Sequence, residues 1–195
     1  MRKIGLLGGT FDPVHNGHLL AAQAALEAVG LDEVWFIPTL TPPHKPQPGA
    51  DSESRRRMLD EAISDNPAFK VEDIELQREG TSYTIDTVTA LKERHPNLTF
   101  YWIVGSDMVK DLPNWREIER LAESLTFIGL ERPDQPSDDA ALPIFIRRRL
   151  LRAIMPPMGI SSSDIRRRLK EGRSIRYMLP EQVAEFIRRN GLYES

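Results

Sequence analysis

The strongest constraint on the fold is the alternation of short apolar runs with helical patterns along this chain of 195 residues. Short apolar runs predict buried strands, and apolar residues three and four positions apart predict helices that cover those strands. Regular alternation of the two is typical of a parallel sheet with helices on both faces. We therefore predict an α/β fold with a Rossmann-like, doubly wound, mainly parallel sheet and a small helical extension at the C-terminus.

The element boundaries follow from the same pattern and from residues that start or stop helices. Helices are predicted to end at Gly30, Gly172 and Gly191, and Ser82 is predicted to cap a helix. The arginines at 55–57 are predicted to lie on a solvated helix face. The predicted strands are 3–7, 33–37, 69–74, 99–104, 125–130 and 151–155. The predicted helices are 18–29, 51–64, 82–94, a short one after residue 114, 162–170 and 180–189.

Charge and composition exclude several classes of protein. The net charge is -3 and the pI about 5.9, whereas a general nucleic-acid binder usually carries a basic excess. Without cysteine, the chain forms no disulfide, no thiolate metal site and no thiol nucleophile. We find neither a signal peptide nor an apolar stretch of membrane-spanning length. We expect a cytoplasmic protein with no nucleic-acid or membrane partner.

The first loop, Gly8-Gly9-Thr10-Phe11-Asp12-Pro13-Val14-His15-Asn16-Gly17-His18, carries the sharpest functional signal. It connects a predicted strand to a predicted helix, and its paired glycines allow a ligand to approach the backbone closely. The helix start offers unpaired N–H groups and a positive dipole end, which suit a phosphate. His15 and His18 can both turn toward the same anion, and Gly17 leaves room for a sugar or a base.

Two familiar phosphate-binding loops do not fit this segment. A Walker loop ends in Gly-Lys-Ser/Thr, and this loop contains no lysine. The dinucleotide fingerprint G-x-G-x-x-G does not match the spacing of Gly5, Gly8 and Gly9 either. A tight turn with two structural histidines is the alternative, and the second histidine at fixed spacing argues against it.

His15, Gly17 and His18 resemble the (H/T)-x-G-H motif of the nucleotidyltransferase superfamily. The whole loop is similar to that of the bacterial nicotinate-nucleotide adenylyltransferases, and the resemblance extends from residue 3 to about residue 193. It implies that the two histidines are catalytic, contacting ATP phosphates and stabilising charge during attack at the α-phosphorus. It also implies one domain over residues 1–195, in which residues 160–195 complete the ATP site. Further ATP-binding residues in this loop are then Gly8, Gly9, Thr10 and Phe11, with Asp12 assigned to the acceptor.

A second segment, Ile160-Ser161-Ser162-Ser163-Asp164-Ile165-Arg166, lies at a predicted helix start. Its hydroxyl groups can cap the helix and donate to phosphate oxygens, and Arg166 can add a charge-assisted contact. A simple capping segment is the alternative. The segment resembles the I-S-S/T-x-x-I-R motif of the same superfamily, which implies ATP-binding roles for Ile160, Ser161, Ser162, Ser163 and Arg166.

Three further elements point to the acceptor through the same resemblance. His44 and Lys45, in Pro-Pro-His-Lys after the second strand, correspond to the element that holds the acceptor nucleotide. Tyr83 and Thr84, at a predicted helix start, correspond to residues bordering the pyridine ring and its carboxylate, where a helix dipole would favour an acid over an amide. Trp115 corresponds to the tryptophan on which the nicotinate ring stacks.

Strand ends supply the remaining ATP-binding candidates. Gly105 and Asp107 follow the strongest predicted strand and match the family's G-x-D. A carboxylate at this position can accept from ribose hydroxyls or orient a neighbouring group. Arg132 matches an arginine after the fifth strand, although Glu131 beside it could engage it locally.

The implied reaction joins ATP and nicotinate mononucleotide to give deamido-NAD and pyrophosphate. The acceptor phosphate is already ionised near neutral pH, so no strong general base is required. We find no dedicated carboxylate cage, and we expect Mg²⁺ to arrive bound to ATP, with no metal site of the protein's own. The sequence leaves open nicotinamide mononucleotide or phosphopantetheine as the acceptor, a nucleotide-binding module without catalysis, and a homo-oligomer.

Overall fold

A computed structural model describes residues 1–40, 47–78, 80–133 and 139–194. The strands within these ranges form one six-stranded sheet with the order β3-β2-β1-β4-β5-β6. They are β1 (Arg2–Gly9), β2 (Glu33–Pro38), β3 (Phe69–Val71), β4 (Leu98–Gly105), β5 (Thr126–Glu131) and β6 (Leu150–Ile154). The helices are α1 (Asn16–Val29), α2 (Ser52–Ile63), α3 (Thr84–Arg94), α4 (Ser106–Asp111), α5 (Ile118–Ser124), α6 (Ile144–Arg147), α7 (Ser162–Lys170) and α8 (Glu181–Arg189).

The predicted α/β class and parallel sheet are confirmed. β1 pairs with β4, β4 with β5 and β5 with β6, each in parallel, with Ile4 opposite Phe100 and Trp102 opposite Phe127. Every residue of β2 is buried, as a strand covered by helices on both faces requires. None of the described helices is long and apolar enough to cross a membrane.

The described residues group into two compact units. Unit 1 contains Met1–Leu7, Ala21–Trp35 and Ser82–Pro157, and α3 packs against α5 in it. Unit 2 contains Gly8–Leu20, Phe36–Thr81 and Met158–Ser195, and α2 packs against both β3 and α8 in it. The first loop and the second predicted phosphate segment therefore belong to the same unit.

Each unit has an apolar core of its own. The core of unit 1 includes Ile4, Leu6, Val34, Val88, Leu91, Phe100 and Ile128, all buried. The core of unit 2 includes Val14, Phe36, Met58, Leu59, Ile74, Ile165, Val183 and Ile187, also buried. Burial of such side chains is the main favourable contribution to folding.

Several predicted element boundaries differ from those of the structure. β3 ends at Val71 rather than at residue 74, although the Glu72 N–H still donates to the Phe36 carbonyl at 2.9 Å. α3 begins at Thr84 with Tyr83 as its N-cap, so Ser82 does not cap it. α4, α6 and a 3-10 helix at Leu112–Asn114 are too short to produce a periodic apolar pattern. The three glycine stops are confirmed, each with a positive φ.

Candidate active site

The first loop in unit 2 is shaped by Phe11, which lies beneath it. Phe11 is 2 % exposed and adopts a left-handed backbone with φ of 49°. A Cβ atom on Gly9 would lie 3.0 Å from the Phe11 ring, so glycine lets the loop pack on this ring without displacing it. The ring also meets the imidazole of His18 edge-on, with centroids 5.0 Å apart. Phe11 is thus a buried support for the loop.

His15 and His18 lie against each other at the start of α1. Their ring centroids are 3.7 Å apart and the ring planes differ by 25°. The backbone N–H of His15 donates to Nδ1 of His18 at 3.2 Å. Since a neutral imidazole carries one proton, this bond places the proton of neutral His18 on Nε2. His18 is half-buried.

His15 lies deeper than His18 and has a different electrostatic character. Burial lowers the pKa of His15 from 6.5 to about 4, so its imidazole is neutral at pH 7. Its Nδ1 atom is buried and accepts no hydrogen bond from the part of the chain that the structure describes. A Cβ atom on Gly17 would lie 3.0 Å from this Nδ1, so a side chain at this position would press on the His15 imidazole.

The second phosphate segment contacts the first loop directly. The Ser161 hydroxyl accepts from the Asp164 N–H at 3.1 Å and so caps α7. The Ser162 hydroxyl donates to the Pro13 carbonyl at 2.8 Å, and Arg166 donates to the Asp12 carbonyl at 2.7 Å. Unit 2 therefore brings together the two segments that the sequence analysis selected.

Other residues of the second segment are placed near the same loop. The Ile160 carbonyl would lie 3.9 Å from a Cβ atom on Gly17. Ser163 is exposed, and its hydroxyl lies 3.5 Å from a guanidinium nitrogen of Arg166.

Asp12 lies at the centre of a buried polar cluster. Its side chain is 6 % exposed. Its carboxylate accepts from the Gly49 N–H at 2.8 Å, the Ala50 N–H at 3.0 Å and the Tyr193 hydroxyl at 2.7 Å. Arg166 lies 3.5 Å from one carboxylate oxygen. In this structure Asp12 fastens the first loop to other segments of unit 2, and its predicted contact with the acceptor stays a prediction.

Arg55 is a supporting residue that the sequence analysis misplaced on a solvated face. It is 1 % exposed and donates to the carbonyls of Thr10 and Thr39 at 2.7 and 2.8 Å. Burial lowers the pKa of its guanidinium, while the Asp12 carboxylate opposes that effect. The missed signal was helical spacing, because Arg55 precedes the buried Met58 and Leu59 by three and four positions.

In unit 1, the structure places the predicted ring-binding residues Tyr83 and Trp115 next to aromatic and cationic groups. The guanidinium carbon of Arg116 lies 4.6 Å from the centre of the Tyr83 ring, a cation–π contact that the sequence analysis missed. Half-buried Trp115 meets Trp102 and Phe127 at steep angles, with each centroid 6.5 Å away. Thr84 opens α3 directly after Tyr83.

The remaining candidates in unit 1 lie at the ends of strands. Gly105 ends β4 and caps α4, and Asp107 is exposed in the first turn of that helix. Arg132 is exposed after β5, and Glu131 pairs with Arg152 at 3.2 Å. The predicted acceptor residues His44 and Lys45 lie outside the described residues.

Comparison with known proteins assigns the class and then the narrower family. The model of the cytidylyltransferase-like family matches residues 6–168, so the chain belongs to that family. It is 47% identical over its full length to the Bacillus pumilus protein named "Probable nicotinate-nucleotide adenylyltransferase". It is 45% identical to the nicotinate-nucleotide adenylyltransferase of Bacillus subtilis, with 100% of both chains covered. Within the wider family, the chain therefore belongs to the nicotinate-nucleotide adenylyltransferases.

A solved structure supports the fold. It is Plasmodium falciparum nicotinic acid mononucleotide adenylyltransferase complexed with NaAD, with a TM-score of 0.82 and 24% identity. The match covers 100% of this chain and 98% of the Plasmodium chain. The predicted family and fold class are both confirmed.

Proposed function

We propose that this protein transfers the adenylyl group of ATP to nicotinate mononucleotide, giving deamido-NAD and pyrophosphate for NAD biosynthesis. The observation that carries the proposal is the stacked pair of His15 and His18 at the start of α1, in contact with the loop that the α7 segment holds. The names of the Bacillus relatives support the choice of acceptor.

The reaction needs alignment and charge stabilisation more than acid–base chemistry. An oxygen of the acceptor's 5′-phosphate bonds to the α-phosphorus while the bond from that phosphorus to the bridging oxygen breaks. Pyrophosphate leaves with the electron pair, and no proton has to be removed from the acceptor. The His18 Nε2–H and the start of α1 would stabilise the charge that develops on the phosphate oxygens.

Neutral His15 suits a role that begins when ATP binds. An anionic phosphate next to a buried imidazole favours the protonated form, so ATP would raise the pKa of His15 from about 4. The imidazole would then gain a partner for the Nδ1 atom that lacks a hydrogen bond within the described ranges. Ser161, Ser162, Ser163 and Arg166 would complete the phosphate contacts.

Mg²⁺ would accompany ATP without a protein cage of its own. Among the described residues, no group of three or more His, Asp or Glu side chains is arranged to hold a metal ion. Mg²⁺ commonly binds through substrate phosphates and water with few protein ligands, so delivery with the nucleotide would require no such group. The ion would supply neutralisation of phosphate charge.

For the acceptor, Tyr83 and Trp115 offer aromatic surface and Arg116 offers a cation close to Tyr83. A cation and a helix start both favour a nicotinate carboxylate over a neutral amide. Roles for Asp12, Thr84, His44 and Lys45 in acceptor binding, and for Gly105, Asp107 and Arg132 in ATP binding, are part of this proposal.

The test is pyrophosphate release from ATP with a panel of acceptors. We expect rapid release with nicotinate mononucleotide and at least about tenfold lower kcat/KM with nicotinamide mononucleotide, since loss of one charged contact has about that effect. Activity with phosphopantetheine alone would contradict the proposed acceptor. Absence of release with every acceptor would favour a nucleotide-binding module.

A further inference from the structure

Tyr193 is a buried residue close to the C-terminus that the chemistry above does not use. It is 8 % exposed, and its backbone adopts a left-handed conformation with φ of 67°. Residues other than glycine rarely adopt this conformation unless their surroundings hold them in it.

The Tyr193 hydroxyl completes the set of donors around the Asp12 carboxylate. It donates to Oδ1 at 2.7 Å, and the same oxygen accepts from the Ala50 N–H at 3.0 Å. Burial and the neighbouring carboxylate both raise the pKa of this hydroxyl, so it remains a protonated donor. Hydrogen bonds from a buried donor to an ionised acceptor are among the stronger ones in proteins.

The Tyr193 ring is matched to Gly49. A Cβ atom on Gly49 would lie 3.2 Å from two ring carbons of Tyr193 and 3.6 Å from Cδ of Arg166. Because Gly49 has no side chain, the Tyr193 ring packs directly against the backbone whose N–H groups donate to Asp12. Ring and hydroxyl together hold residues 49 and 50 to the first loop.

These contacts lie three residues before His15. On the same stretch, Arg166 donates to the Asp12 carbonyl at 2.7 Å and Ser162 donates to the Pro13 carbonyl at 2.8 Å. Just beyond His15, the Asn16 N–H donates to the Met178 carbonyl at 2.9 Å. The loop is thus fastened on both sides of His15 by residues from the C-terminal segment.

We infer that Tyr193 is a positioning residue, which acts through Asp12 to hold the first loop in the conformation that stacks His15 on His18. The inference rests on the proposed function for its kinetic consequence. Its structural part stands on the contacts within unit 2 and can be tested separately. A displacement of about 1 Å in a catalytic group is enough to reduce a rate substantially.

The test compares Tyr193→Phe with Tyr177→Phe. Tyr177 is 83% exposed, so its variant serves as the matched control. We expect Tyr193→Phe to lower kcat about tenfold or more with a smaller change in KM for ATP, because positioning acts on the transition state. NMR titration of Tyr193→Phe should show a higher pKa for the His15 imidazole than in the wild type, because the loosened loop admits water. The control should match the wild type in both measurements.

The two readouts separate positioning from stability. If Tyr193→Phe lowers only the melting temperature, with kcat and the His15 titration unchanged, the inference is overturned. If Tyr193→Phe does not fold, Gly49→Ala takes its place, because the added methyl group presses on the Tyr193 ring. Lack of activity in the wild type would defeat the proposed function, whereas an unmoved His15 titration would defeat the positioning role.

Discussion

At the scale of single residues, the two histidines of the motif have different environments. His15 is buried and neutral at pH 7, whereas His18 is half-buried and accepts at Nδ1 from the His15 backbone. The difference comes from depth: His15 is 6 % exposed beside Gly17. In the proposed reaction, His18 donates from Nε2, and His15 gains a proton when an anionic phosphate binds beside it.

Burial of His15 predicts an acid-sensitive contribution to stability. Its folded pKa of about 4 lies below the unfolded value of 6.5, so the unfolded chain binds more protons in this window. The contribution is present above pH 6.5 and is lost as the pH falls toward 4. By linkage, it reaches about 3 kcal/mol. Urea unfolding of the wild type and His15→Asn at pH 7 and pH 4.5 measures it, and an equal loss in both proteins would contradict the assignment.

Gly17→Ala tests the space beside His15. The new methyl group would lie 3.0 Å from the imidazole and displace it. The helix propensity of alanine is more favourable than that of glycine by about 1 kcal/mol, so the free energy of unfolding should not fall. Because the imidazole is displaced, kcat should fall about tenfold or more. Steady-state kinetics alongside thermal unfolding check this, and unchanged kcat in a folded variant would show that the imidazole has room to move.

At the scale of elements, α2 supports the first loop through Arg55. Its periodicity could have been used to place Arg55 on the buried face, since Met58, Leu59 and Ala62 follow at helical spacing. The partners could not have been predicted from the sequence, because the carbonyls of Thr10 and Thr39 are backbone groups of distant segments. Tyr193 was missed for the same reason, as its partner Asp12 lies 181 residues away.

Arg55→Met should destabilise the protein by about 3 kcal/mol, because the part-buried carbonyls of Thr10 and Thr39 lose a charged donor. Arg57→Met is the matched control on the same helix. The Arg57 side chain is 63% exposed and pairs with Glu53 across one helical turn, so its loss should cost less than about 1 kcal/mol. Urea unfolding measures both, and equal effects would contradict the buried role of Arg55.

At the scale of the whole molecule, the bounds of strands could be predicted from the sequence, but the order of the strands in the sheet could not. β2 and β4 were predicted within one residue of each end because their apolar runs are uninterrupted. The loop from Gly8 to His18 was found because its glycines and histidines follow strict spacing. The order β3-β2-β1-β4-β5-β6 depends on pairing between distant segments, which no local pattern encodes.

The stacked pair of His15 and His18 is the centre of the proposed adenylyl transfer. Its most direct test is the single-turnover rate of deamido-NAD formation from ATP and nicotinate mononucleotide, in the wild type and in His18→Ala. We predict a fall of about 10²-fold or more with the fold intact by circular dichroism, since removal of one preorganised donor has an effect of that size. A folded His18→Ala variant with a near-normal rate would contradict the proposed role of the stacked pair.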